Sequence, residues 1–365
     1  EIDEQQARES LRKTTLSATM LETYATCPYK YFLRYKLGIK GLETPEDTPD
    51  RLDAREQGTL LHHIFQEFHQ SVINDQSTPG VQDAWSPEHK QLMRTISEQS
   101  FREWEELGNV SDSIYWDLDK EYMTAILDAY LNEDQSLRSG FQLSTVSVEQ
   151  PFGFPERPGD TKESWSAPTI TIPNIGSIKF RGYIDRIDAN SDGSTVMILD
   201  LKTGSSVPYQ GLEDDVFHGG TKLQLPVYLL AAQQNLPDAE HITAAYWMVS
   251  FKGKYQVLPS EPLSLEQPEG PLRSILVKIT DGITSGLFPA NPGPDKINCL
   301  FCDYDAICPA LREGYWDNKS RADIRLADYL ALSEHQTQRT ISKHCIKETY
   351  GQLPAFRESF GNKKH

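Results

Sequence analysis

The sequence has 365 residues, 38% hydrophobic and 24% charged, with a formal net charge of -17. That balance fits a folded chain with one large core or two modest ones and excludes disorder as the default. It also excludes a surface that holds nucleic acid by charge alone, because phosphate binding needs clustered Lys and Arg.

No apolar run approaches the roughly 20 residues that cross a bilayer, and the opening EIDEQQARES lacks a secretory profile. A cytoplasmic protein is expected. Residue 1 is Glu, and the expectation is a domain cut from something longer. Ser17 reads as the cap of a helix toward Tyr24, and a second helix is predicted from Pro28 to Leu37. Its cations Lys30, Arg34, Lys36 and Lys40 alternate with Tyr29, Tyr31, Phe32 and Tyr35. Two readings stand there: a local DNA path with stacking faces, or an amphipathic helix burying its aromatics. Helical spacing recurs near 56–75, 86–107 and 117–135, the middle stretch opened by Ser86 and Pro87.

From about Ser144 the apolar period changes. Ser144–Gln150, Thr169–Ile172, Ser177–Ile187 and Thr195–Thr203 read as strands, the last two joined through NSDGS. A helix from about Thr221 to Gln234, a strand pair around Ala244 to Leu258 and a helix from about Pro271 to Ser285 follow. The order predicts an α/β fold, a mixed sheet flanked by helices. After the loop FPANPGPDK come clustered cysteines and a polar helical tail from about Arg321. There is no G-x-x-x-x-G-K-[ST] loop, so ATP hydrolysis by this chain alone is not expected.

In Thr195–Thr203, alternation puts Val196, Ile198, Asp200 and Lys202 on one face and Met197, Leu199 and Leu201 on the other. An acid and an amine thus end an apolar strand. The preceding strand carries Asp185 and Asp188, so two neighbouring strands are expected to bring carboxylates together, suited to a hard cation such as Mg²⁺. Read in isolation, Asp200 and Lys202 more often describe a surface pair at a strand end.

Five cysteines are too few for a disulfide scaffold. Cys299, Cys302 and Cys308 form C-x₂-C-x₅-C, and Cys27, followed by proline like Cys308, is the natural fourth ligand. Spacing alone leaves zinc and a [4Fe-4S] cluster equally open. Cys345 has no partner in this scheme and is expected to be a free thiol.

GTLLH (58–62), GYIDRID (182–188), ILDLKTG (198–204) and QLPVY (224–228), with the cysteines, resemble the PD-(D/E)XK nucleases of the RecB and AddB type over about Ser17 to Pro309. The resemblance implies a restriction-endonuclease-like core over 143–288. Before it lies a helical region, 1–142, that carries Cys27 and His62; an iron-sulfur segment, 289–312, and a polar tail, 313–365, follow. It implies His62, Asp185, Asp200 and the Leu201 carbonyl as ligands of Mg²⁺ or Mn²⁺, with Lys202 orienting water or stabilising charge. The GTLLH register selects His62 over His63. Gln224 and Tyr228, four apart on one helix face, are implied to bind the DNA strand; without the resemblance Gln224 reads as a surface residue. Glu149, in VEQPF, is a further candidate for the same site. The cysteines are implied to hold a [4Fe-4S] cluster that clasps the chain ends.

The leading expectation is a metal-dependent DNA exonuclease or end-processing nuclease joined to, or working with, a repair helicase. A stand-alone iron-sulfur single-strand exonuclease, similar to the CRISPR-associated adaptation nucleases, is the second. A silent DNA-binding scaffold is the third; it would be expected to have lost a charged site residue, whereas His62, Asp185, Asp200 and Lys202 are all present.

Overall fold

The structure is a computed structural model, and it describes residues 3–41, 48–155, 162–264 and 269–337. Helix α1 (Glu4–Lys13) is capped by the Asp3 carboxylate. A short strand, β1 (Thr15–Leu16), leads to α2 (Ala18–Thr26), where Ser17 accepts the Met20 N–H and Cys27 ends the helix. The predicted helix from Pro28 is α3 (Pro28–Tyr31), and it continues as a π turn over Phe32–Lys36. Three long helices follow: α4 (Ala54–Asn74), α5 (Pro87–Glu106) and α6 (Ile114–Phe141). None of the described helices is long and apolar enough to cross a membrane.

The β-rich part comprises β2 (Ser144–Phe152), β3 (Thr169–Ile172), β4 (Gly176–Phe180), β5 (Gly182–Ala189) and β6 (Thr195–Lys202). Helix α7 (Gln224–Asn235), β7 (His241–Met248), β8 (Val257–Leu263) and α8 (Glu269–Thr284) complete it. Helices α9 (Arg312–Ala322) and α10 (Ala327–Thr337) make the described part of the polar tail. Cys345 lies outside the described residues.

The main sheet runs β2-β5-β6-β7-β8, with β6 and β7 parallel and the other pairs antiparallel. The fold is therefore mixed α/β. The predicted single strand Ser177–Ile187 is instead two strands in different sheets, since β4 pairs with β1 and β3. The chain crosses over at Arg181, whose N–H goes to the Leu16 carbonyl at 2.8 Å. Gly182 permits the crossing, because a Cβ there would sit 2.8 Å from the Phe152 ring.

Each face of the main sheet carries its own apolar cluster. Val196 and Ile198 join a core with α1, α2, α7 and α8 residues such as Leu11, Leu21, Leu229 and Leu276. Met197, Leu199 and Leu201 join the other, formed with α4, α5 and α6 through Phe65, Met93 and Tyr130. The second face also encloses charge. Buried Arg186 forks onto Asp188 at 2.7 and 2.8 Å and donates to Asp134 at 2.6 Å, while Arg138 and Trp85 both donate to the other Asp134 oxygen. Such pairs persist in the interior only when each member is satisfied.

Candidate active site and cysteine pocket

Strand register builds the site. Arg186 pairs with Leu199, and Val148 and Gln150 pair with Arg186 and Ile184. Glu149, Asp185 and Asp200 therefore stand in a row across three adjacent strands, since directly opposed antiparallel residues point to the same face. Glu149 adopts a left-handed backbone, φ 45°, inside its strand. His62 comes in from α4, its Nδ1 3.7 Å from Asp185 Oδ2. Ligand atoms of His62, Glu149 and Asp185 all lie within 4.8 Å of one another. They line a pocket of about 230 Å³, shared with Leu201 and Gln66. Beside it a groove of about 1010 Å³, open to solvent, runs past Arg55, Thr59, Lys202, Thr203 and Tyr209.

Hydrogen bonds orient the acids. Asp185 Oδ2 accepts the Leu201 N–H at 2.7 Å, and Asp200 Oδ1 accepts the Gln224 amide at 3.0 Å. Asp200 is 1% exposed. Its Oδ2 is buried and meets the Lys202 ammonium as an ion pair. Burial, then the charge of Asp200, pushes Asp185 well above the usual carboxylate range. The same two causes push Glu149 up to about 7, against the pull of Lys162. Burial and the nearby Lys202 charge push His62 down, so it stays neutral and fit to ligate, within hydrogen-bond reach of the Leu201 backbone. Burial works against the Lys202 ammonium, yet Asp200 and Asp185 hold its pKa above the ordinary lysine value.

This donor set, carboxylate oxygens and one imidazole within reach of one another, fits a hard divalent cation. A second donor set lies at the end of α2. Cys27, Cys299, Cys302 and Cys308 line one pocket of about 340 Å³ with Asn291, Asn298, Tyr304 and Arg312. The Cys27 sulfur accepts backbone N–H groups of Lys30, Asn291 and Tyr29, while burial pushes its thiol up. The Arg312 guanidinium faces the sulfurs of Cys299 and Cys308. Four thiols with N–H donors and one cation suit an anionic four-thiolate centre.

Residues 15–309 match the PD-(D/E)XK nuclease superfamily. The chain belongs to it. Among curated relatives is an ATP-dependent helicase/deoxyribonuclease subunit of Carboxydothermus hydrogenoformans, 31% identical over 71% of this chain and 22% of that protein. The proteins of the same name from Streptococcus uberis and Clostridium perfringens are 30% identical over 60% of the chain and 28% over 61%, covering 16% and 18% of their own lengths. The chain thus spans about a fifth of these relatives.

Within the superfamily fold, the structure brings His62, Asp185, Asp200, Leu201 and Lys202 together. Gln224 and Tyr228 join them from α7: Gln224 donates to Asp200 and, at 3.5 Å, to the Tyr228 hydroxyl, and Tyr228 is 7% exposed. Asp188, expected beside Asp185, points to the opposite face and serves Arg186 instead. It is three residues along a strand, an odd step that changes face. In the basic stretch, Arg34, Lys36 and Lys40 are exposed. Tyr31 is buried and, with Phe32, stacks on Phe288, so these rings are packing groups and not base platforms. Sequence reasoning passed over Glu22, Tyr209 and Arg312, which neither periodicity nor a motif marks.

Proposed function

We propose that the chain is a Mg²⁺- or Mn²⁺-dependent deoxyribonuclease that hydrolyses phosphodiester bonds at DNA ends as part of, or in partnership with, a helicase–nuclease. The observation that carries this is the row Glu149–Asp185–Asp200 with His62 on one side and Lys202 on the other. His62, Asp185, Asp200 and the Leu201 carbonyl would hold the cation, with Glu149 a further ligand. When bound, a divalent ion acidifies water and neutralises charge growing on the scissile phosphate. Lys202 orients the attacking water and donates to the phosphate's non-bridging oxygen, stabilising the charge that develops there. The water gives up one proton to solvent as its oxygen bonds to phosphorus, the P–O bond to the leaving sugar oxygen breaks, and that oxygen takes up one proton from solvent. Gln224 and Tyr228 are assigned to the strand beside the scissile bond, Tyr228 acting through Gln224.

The relatives support the helicase partnership, because the matched stretch is about a fifth of proteins named as helicase/deoxyribonuclease subunits. The cysteine pocket is assigned a [4Fe-4S] cluster with a structural role. The test is cleavage of end-labelled single- and double-stranded DNA with Mg²⁺, Mn²⁺ or EDTA, with and without an added motor. Asp200→Ala, Asp185→Ala and Lys202→Ala should each reduce cleavage at least about a hundredfold with the fold intact. Wild-type activity in any of them removes this assignment.

A further inference from the structure

Helix α7 begins without a cap of its own. Leu223 stands at the cap position, where its side chain accepts nothing, and Pro226 in the first turn has no N–H to offer. The exposed N–H groups are met from another element: Glu22 Oε1 accepts from Leu223 N at 2.6 Å and from Gln224 N at 3.2 Å. Its charge also faces the positive end of the helix dipole. Glu22 lies on α2, the helix that Cys27 terminates.

Gln224 therefore makes two bonds that matter to the site. Its backbone N–H is held by Glu22, and its side-chain amide holds Asp200 Oδ1 at 3.0 Å. With Oδ1 so occupied, Asp200 turns its other oxygen toward Lys202. We propose that Glu22 is a positioning residue for the metal site, a carboxylate on the cysteine-bearing helix that fixes the start of α7 and through it the Gln224–Asp200 hydrogen bond. The proposal rests on the reading of Asp200 as a metal ligand. Glu22 acts on the cation only through Gln224, and that intermediary makes the idea testable.

The experiment is Mn²⁺ binding by isothermal titration calorimetry on the full chain, with a thermal melt of each variant alongside. The set is wild type, Asp200→Ala, Glu22→Ala, Glu22→Gln, Gln224→Ala and the double variant Glu22→Ala/Gln224→Ala. Glu22→Ala should weaken Mn²⁺ about fivefold, the scale of a lost helix cap. Glu22→Gln keeps an acceptor oxygen and should recover most of the affinity. The double variant should bind no more weakly than Gln224→Ala alone, because residues acting in series are not additive. A plain structural cap would lower the melting temperature and leave Mn²⁺ affinity at the wild-type value. That result, or additive losses in the double variant, overturns the proposal. If Glu22→Ala does not fold, Glu22→Asp, one methylene short, carries the same cycle. Unchanged affinity in Asp200→Ala would remove the site reading and the positioning role together, whereas a loss there with additive Glu22 and Gln224 effects removes the role of Glu22 alone.

Discussion

Glu149 is held in a backbone region that a glutamate rarely takes, φ 45° within a strand, and its carboxyl is half-buried near Asp200. Burial and that neighbouring charge push its pKa from 4.5 up to about 7. The folded pKa exceeds the unfolded one, so folding takes up a proton between those values. The associated stability is complete below pH 4.5 and is lost as pH rises through about 7. Asp185, raised by burial and by Asp200, acts with the same sign. In protein stripped of divalent ions, Glu149→Gln should therefore stabilise by roughly 2 kcal/mol near pH 8 and change little near pH 5. Thermal melts in EDTA at the two pH values read this, and parallel pH curves for variant and wild type would rule Glu149 out as the titrating group. Divalent ions must displace the same proton. Mn²⁺ affinity should therefore rise between about pH 6 and 8 in the wild type and rise less steeply in Glu149→Gln, where Asp185 still gives up its proton.

Helix α4 delivers His62 and is anchored at its start by a capping box, Asp53 with Glu56. Gly58, the first residue of GTLLH, lies inside this helix, where glycine lowers stability by about 1 kcal/mol relative to alanine. Its use is close approach, since a Cβ there would lie 2.9 Å from Thr203 Oγ1 just beyond β6. Gly58→Ala should be tolerated because the Thr203 side chain can rotate. Gly58→Val should push α4 from the strand end and weaken Mn²⁺ about tenfold, a cost of roughly 1.4 kcal/mol. Calorimetric binding equal to wild type in Gly58→Val would show that this approach does not set the position of His62. The sequence made some of this legible and hid the rest for physical reasons. Alternation in β6 was readable because Val196 and Ile198 enter one core and Met197, Leu199 and Leu201 the other. The break at Arg181 was not, because two short strands in tandem have the period of one long one. The left-handed turn at Glu149 has no local signal of the kind glycine provides. The Glu22 cap joins residues about 200 apart, and only the fold brings them together.

At the scale of the whole molecule, the two ends of the matched region meet at one place. Asn298 donates to the Thr26 carbonyl at 3.1 Å, and Tyr329, itself held by Asn291, donates to the Ala25 carbonyl at 3.0 Å. These bonds set the post-core segment against the end of α2, where the four cysteine sulfurs share a pocket. Closing so long a loop is entropically unfavourable, and a four-thiolate centre would offset it because metal-site binding energy is partly folding energy. Cys302→Ser and Cys27→Ser should thus each lose iron, labile sulfide and visible absorbance together. Each should lower the melting temperature by roughly 4 °C, the effect of about 3 kcal/mol in a chain of this size. Asp200→Ala should keep its iron, sulfide and visible absorbance, since it leaves the clasp intact, and any loss of stability there comes from stranding the Lys202 ammonium. Cys345→Ser should retain the full iron complement. The measurement is iron, zinc and sulfide content in proteins purified without oxygen, with melts on the same samples. Zinc in the wild type would replace the cofactor and keep the clasp, because four thiolates hold either. Iron retained in Cys27→Ser and lost in Cys345→Ser would break the ligand set itself, and with it the idea that the pocket at the end of α2 ties the N-terminal helix to the segment after the core.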